Sequence, residues 1–335
     1  MAGLAMLMAC RNSGKGVRSK GDSSCVSERN ALFAGGGRVR CGMASRYGTG
    51  ELYGFDFSAL SAARIRDLSS APYKSQACPF KPAPAGKSAP RCNKKGGVCS
   101  LRQFSQDEHG RGEGAGEPVI TCPSRFLEGS LVAQWVGEAL LGTASPLVIS
   151  ELPFLMGEIQ AEEGNEDAVG KIDEVLVNAD GGGLRWCALE FQAVYFSGMS
   201  MENDFKVMRE WTGPSVPFPA VQRRPDFRSS GPKRLMPQLQ IKVPTISRWG
   251  KKMAVVIDRA FWESLGDMRE GKEVSNCEIV WFVVAFAPAR DGRFSLRRHE
   301  THFTTLVNAV EGLTGGTPMS LERFEKQIRD RLPHS

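Results

Sequence analysis

The chain has 335 residues, of which 41% are hydrophobic and 24% charged, and a net charge of +6. That is long enough for a substantial core and close to the size at which one domain gives way to two, and the balance excludes a fibrous or wholly disordered chain. No stretch approaches the roughly eighteen apolar residues of a membrane span, and the apolar opening Met1–Cys10 lacks the basic start and small-residue cleavage pattern of an export signal, so no membrane partner and a cytoplasmic address are expected.

Residues 1–45 are rich in Gly, Ser, Lys and Arg without a sustained hydrophobic period, which predicts a flexible tail, and Met43 begins the first segment with the look of a folded one. Nine cysteines are too few for a disulfide-dense scaffold, and the odd count leaves a thiol over. Four of them, Cys78, Cys92, Cys99 and Cys122, are separated by 13, 6 and 22 intervening residues in a segment of Pro, Gly and Lys that needs a staple to fold. Four thiolates on one cation make a closed tetrahedral site for zinc or iron, and neither spacing nor residue type selects between them. The glycines of Asn93–Cys99 permit the sharp turns of a ligand loop. Scattered buried thiols are the alternative, and Cys10, Cys25, Cys41, Cys187 and Cys277 are read that way, Cys187 as a core residue alternating with Leu189 and Phe191.

Leu131, Trp135, Val136 and Leu140 recur at helical spacing with Gly142 beyond them, predicting a helix over 128–141. An acidic stretch from Glu151 to Glu174, eight carboxylates against one Lys, leads into strands predicted over Lys171–Asn178 and Leu184–Val194. Ala-Asp-Gly-Gly-Gly joins them as a hairpin turn; without a helix start or P-loop Lys, Gly181-Gly182-Gly183 is no phosphate cradle.

The period of two puts Glu190 and Gln192 on one strand face and Leu189 and Phe191 on the other. Asp173, on the partner strand, can then meet Glu190 across the hairpin. Two such carboxylates repel, and Mg²⁺, held by few protein oxygens plus water and phosphate, offsets that cost while activating water, polarising the scissile phosphorus and stabilising the departing 3′ oxygen. Glu158, 15 residues ahead of Asp173, is a further candidate carboxylate. On pattern alone, a turn cap at Asp173, an edge residue at Glu190 and a solvated acid at Glu158 stand as alternatives.

Between residues 223 and 252 nine basic residues (Arg223, Arg224, Arg228, Lys233, Arg234, Lys242, Arg248, Lys251, Lys252) face one acid, Asp226, the electrostatic footprint of a polyanion site. The stripe is Pro-rich and is expected to be irregular. Met253–Asp258 and Glu278–Phe286 predict strands, Arg259–Leu265 a short helix and Ser320–Leu332 an amphipathic one. His299 and His302 are read as a solvent-facing strand end rather than metal ligands.

Taken in order, Cys78-Pro79-Phe80, Gly97-Val98-Cys99, Cys122-Pro123 with Arg125, Gly157-Glu158, Asp173, Leu189-Glu190-Phe191-Gln192 and Phe196-Ser197-Gly198 resemble the NotI-like type II restriction endonucleases, over 71–198 and more loosely the C-terminal third. The resemblance implies an α/β, restriction-endonuclease-like core of the Asp…Glu-x-Lys superfamily, a central mixed sheet flanked by helices, acting as a homodimer on both strands of palindromic double-stranded DNA. It implies structural iron on Cys78, Cys92, Cys99 and Cys122, and an active site of Glu158, Asp173, Glu190 and Gln192 with Mg²⁺ on Asp173 and Glu190. Domains follow as a tail (1–45), a four-cysteine segment (46–127) and a nuclease core (128–335). The superfamily has Lys where this chain has Gln192, which carries no charge, so water activation is expected to lean on the metal and the phosphate. A repair or recombination nuclease without site specificity and a non-catalytic DNA-binding protein are the competing readings.

Overall fold

The computed structural model describes residues 44–84, 86–156, 168–180, 183–315 and 319–332. The expected tail, Cys10, Cys25, Cys41, Gly157-Glu158 and Gly181-Gly182 lie outside them.

Two sheets organise the chain. The first, of five strands, runs in the order β2-β1-β3-β4-β9, where β1 is Ser45–Leu52, β2 Phe55–Asp56, β3 Val98–Gln106, β4 Arg111–Ile120 and β9 Val216–Pro217. The second, of six, has the order β13-β12-β11-β7-β6-β5, from β5 Leu147–Met156, β6 Ala168–Asn178, β7 Arg185–Phe191, β11 Met253–Asp258, β12 Ile279–Arg290 and β13 Arg293–Thr304. It is mixed: β11 runs parallel to both β7 and β12, and the other pairings are antiparallel. A small ribbon joins β8 (Phe196–Gly198) to β10 (Arg223–Pro225). The helices are α1 Ala62–Ser70, α2 Leu131–Leu141, α3 Glu202–Glu210, α4 Phe227–Ser230, α5 Met236–Arg248, α6 Arg259–Glu263, α7 Leu306–Thr314 and α8 Leu321–Arg329.

The second sheet is covered on both faces, which is why its central strand, Met-Ala-Val-Val-Ile-Asp, is buried at all six positions and shows no polar alternation. One face, with Val175, Ala188, Val255 and Trp281, packs on Leu239, Val243 and Ile246 of α5 and Ala309 and Leu313 of α7. The other, with Leu176, Cys187, Leu189 and Val256, packs on Val132, Val136 and Leu141 of α2. Ile257→Ala in this core is worth about 2–5 kcal/mol. The expected helix over 128–141 begins at Leu131, after a 3-10 stretch from Pro123 to Ser130, and stops where Gly142 adopts φ 71°, a left-handed cap that disfavours any residue with a Cβ.

Three expectations change. The basic stripe is mostly helical, with α4, a π-turn over Gly231–Leu235 and α5 in succession. Leu235, Leu239, Val243 and Ile246 carry a helical period through the prolines; Pro237 sits in the first turn, where its missing N–H is harmless, and Pro244 faces solvent. The acidic stretch begins inside β5, an edge strand whose Pro153 is tolerated because an edge need not donate on both sides. The cysteine segment has strands and a core of its own, with Leu52, Phe57, Leu101, Phe104 and Phe205. Its sheet straddles residue 127, since β9 pairs with β4 from far downstream. Val119 and Ile120 pack into the two cores of the six-stranded sheet. Among the described residues, no helix is long and apolar enough to cross a membrane.

Candidate active site and cysteine cluster

In the antiparallel pair β6–β7, Glu174 stands opposite Leu189, which puts Asp173 opposite Glu190. The two acids are laced together: Phe191 N–H donates to Asp173 Oδ2 at 2.9 Å, and Asp173 N–H approaches Glu190 Oε1 at 3.4 Å. Glu190 is 2% exposed and Asp173 half-buried. Lys242, on the buried face of α5, reaches Glu190 Oε1 with Nζ at 2.6 Å and Gln238 Oε1 at 3.3 Å.

The electrostatics follow from burial and crowding. Burial pushes the Glu190 carboxyl up to about 7, the Asp173 charge adds to the rise, and Lys242 opposes it. Asp173 is also raised by burial, against the pull of the Phe191 N–H and Lys242. Glu174 rises to about 7 through burial and its neighbour Asp173. A hard divalent cation at Asp173 and Glu190 relieves this crowding, so the donor set fits Mg²⁺.

Asp173 and Gln192 line a cleft of about 1160 Å³ together with Lys94, Lys233, Arg234 and Gln238. Gln192 is buried there and donates through Nε2 to the Ala193 carbonyl at 2.6 Å. A cleft lined by both acids and cations suits a divalent ion together with a phosphodiester backbone.

The basic residues divide. Arg224, Arg228, Lys233, Arg234 and Arg248 are exposed, and Arg234 lies 3.6 Å from the centre of the Tyr195 ring. Lys251 packs over Trp186, and Lys252 donates to the Cys277 and Ser275 carbonyls. Arg223 and Lys242 are not surface contacts as the sequence suggested. Arg223 is 1% exposed and ion-paired to Asp204, and Lys242 is 6% exposed and turned inward to Glu190. A charge count along the chain does not reveal which helix face is buried; the apolar neighbours of Lys242 at 239, 243 and 246 carried that signal.

Cys78, Cys92, Cys99 and Cys122 are all buried and unbridged. Backbone bonds draw their segments together: Cys78 N–H to the Pro90 carbonyl and Cys92 N–H to that of Gln76, each at 2.8 Å, and Cys122 N–H to the Cys99 carbonyl at 3.1 Å. Gly96 and Gly97 have φ of 75° and 68°, and a Cβ on Gly97 would fall 2.2 Å from the Tyr53 ring, so the loop admits glycine alone there. Burial raises the Cys92 and Cys99 thiols, and neighbouring cysteines raise them further, the crowding that a thiophilic cation relieves. Among the described residues, however, no three His, Cys, Asp or Glu side chains stand closely enough to hold a metal, so the expected four-cysteine knuckle is not gathered as a metal site.

The two Cys-Pro motifs meet at Arg125. Its guanidinium lies 4.3 Å from the centre of the Phe80 ring, pairs with Glu51 at 3.0 Å and Glu128 at 2.9 Å, and donates to the Phe294 carbonyl at 3.1 Å. His302 stacks on Trp262 and bonds to Glu270 and Glu300, an exposed polar cluster away from the acids of β6 and β7.

A mixed sheet flanked by helices, with Asp173 lining a cleft that Lys233 and Arg234 also line and Glu190 buried next to it, is consistent with a nuclease of the restriction-endonuclease-like class. Comparison with known families matches residues 66–296 to the family described as restriction endonuclease NotI, and the chain belongs to that family. It is a type II restriction endonuclease, a site-specific deoxyribonuclease acting on double-stranded DNA. No curated protein matches the sequence.

Proposed function

We propose that this enzyme hydrolyses both strands of a palindromic DNA site at Asp173 and Glu190, with Mg²⁺ held by these two carboxylates and with Glu158 and Gln192 completing the site. The observation that carries the reading is the hydrogen-bonded acidic pair, buried beside a cleft whose rim bears Lys233 and Arg234. When bound, the cation supplies charge stabilisation to the scissile phosphate and the departing oxygen. Asp173 and Glu190 orient it, and the Phe191 N–H fixes one Asp173 oxygen so that the other is free to ligate. Water attacks phosphorus and the bond to the 3′ oxygen breaks, leaving a 3′ hydroxyl and a 5′ phosphate.

Arg224, Arg228, Lys233, Arg234 and Arg248 are the side chains best exposed for DNA, with Lys251 and Lys252 at the far end of α5. Cys78, Cys92, Cys99 and Cys122 hold one structural iron or zinc ion; their common burial, and the influence of Cys78 and Cys122 on the Cys92 thiol, support this. Cutting two antiparallel strands calls for two active sites, and a symmetric homodimer provides them on a palindrome.

The test is incubation of the purified full chain with phage genomic DNA and Mg²⁺, followed by end sequencing. Discrete ends at one palindrome are expected, with cleavage by Asp173→Asn reduced at least about 10³-fold, since the several kcal/mol supplied by a catalytic metal are lost. A smear of ends would favour a repair nuclease; unchanged cutting by Asp173→Asn would end the assignment.

A further inference from the structure

The active centre has a position just past the end of β7 without a lysine and a helix that brings one. Gln192, two residues after Glu190, carries no charge, yet the Lys242 Nζ stands 2.6 Å from Glu190 Oε1. It arrives from α5, on the opposite element, and Gln238, one helical turn earlier and a lining residue of the cleft, holds it at 3.3 Å. We propose that Lys242 is the cation of this active centre, supplying from the helix the positive charge that a lysine at position 192 would provide.

This inference rests on the reading of Asp173 and Glu190 as the hydrolytic site, and three observations favour it over a packing role. Lys242 is 6% exposed among Leu239, Val243 and Ile246, so burying its ammonium is costly. A buried ion pair adds little net stability over an apolar pair of similar volume, so stability alone gives weak reason for a lysine here. Of its two partners, Gln238 lines the cleft together with Asp173 and Gln192, so the ammonium stands one hydrogen bond from the cleft lining. There the ammonium neutralises one of two crowded carboxylates before the cation binds, and it holds Glu190 in place through a fixed hydrogen bond. Its charge acts on the site through that bond to Glu190. Lys242 is thus a positioning and charge-supplying residue, and Gln192 marks the position that it replaces.

The experiment is a transplant, made in the full chain and read on phage DNA that the wild-type enzyme cuts. Single-turnover cleavage at saturating Mg²⁺ is compared among wild type, Lys242→Met, Lys242→Gln, and each of these combined with Gln192→Lys. Thermal melting and DNA affinity in Ca²⁺ are measured alongside. The expected result is a loss of about 10²–10³-fold in cleavage for both single variants, the range of a positioned charge or proton-transfer group. Ca²⁺-supported DNA affinity should stay within a few-fold of wild type, and Gln192→Lys should restore cleavage at least tenfold. A purely structural lysine gives a lowered melting point that Gln192→Lys does not correct, and loss without rescue in both backgrounds overturns the proposal. So does cleavage within about threefold of wild type by either single variant. If Asp173→Asn still cuts, the hydrolytic site itself is misplaced, an outcome distinct from failure of the lysine transplant.

Discussion

Arg125 and Glu51 form an ion pair at 3.0 Å in which neither side chain is exposed to solvent. Glu51 belongs to the five-stranded sheet and Arg125 follows Cys122; both lie in the cysteine segment, and the arginine ties it to the nuclease core through Glu128 and the Phe294 carbonyl. Burial raises the Glu51 carboxyl and Arg125 opposes that rise, so removal of the arginine leaves an uncompensated buried acid. Arg125→Met should lower stability by about 3–5 kcal/mol, whereas Arg125→Met with Glu51→Leu should recover much of the loss. Urea unfolding of the single and double variants checks this, and equal loss in both would mean that the Phe80 stacking and the bond to Phe294, not the charge pair, dominate.

Much of the site was legible because its chemistry is local. Glu190 sits on β7 and the short hairpin brings Asp173 opposite it, whereas the strand expected through Val194 ends at Phe191, so Gln192 lies one residue past it. The central strands declared themselves by continuous apolar runs. What the sequence concealed depends on long-range packing. β4 reads Arg-Gly-Glu-Gly-Ala-Gly-Glu and has no alternation because several of its glycines admit neighbours in close contact, Gly112 lying under Phe104 and Phe218. Arg223 looked like part of a polyanion stripe, yet its partner Asp204 is 19 residues back on α3. Lys242 belonged to the same count, and only the rotation of α5 against β7 turns it toward Glu190.

The division of the basic stripe predicts different behaviour in DNA binding. Lys233 and Arg234 are exposed at the cleft, so Lys233→Ala and Arg234→Ala should each weaken binding and reduce the slope of log affinity against log salt by about one. Arg223→Ala should leave that slope unchanged and instead lower stability by about 3–5 kcal/mol, because Asp204 is left buried without its partner. Fluorescence anisotropy in Ca²⁺ over a salt series, with melting curves on the same samples, separates the two effects.

The cysteine cluster predicts a metal content. Elemental analysis of the purified chain should find one iron or zinc per chain, and Cys99→Ser should lose it and melt at least about 5 °C lower, since metal binding and folding of such a segment are coupled. A reddish preparation would indicate ferric iron, and a colourless one zinc or ferrous iron. Wild-type protein with no transition metal and an unchanged melting point in Cys99→Ser would reduce the four thiols to core residues.

Asp258 gives a pH prediction away from Asp173 and Glu190. It caps α6 by accepting the Phe261 N–H at 2.8 Å and also accepts the Ile120 N–H at 2.6 Å, tying the end of β4 to the end of β11. Burial pushes its carboxyl from the ordinary 3.8 up to about 7; the two N–H groups oppose the rise, and Glu117 and Glu263 add to it. The folded state therefore holds a proton that the unfolded chain releases from about pH 4 upward, so this stabilisation is complete below about pH 4 and is lost as pH rises through 7. Asp258→Asn cannot accept both N–H groups and should cost about 1–3 kcal/mol. The advantage of wild type over the variant should shrink between pH 5 and pH 8, measured by urea unfolding at each pH. An advantage that instead grows with pH would show that the two backbone donors outweigh burial and that the carboxylate, not the acid, is the folded form.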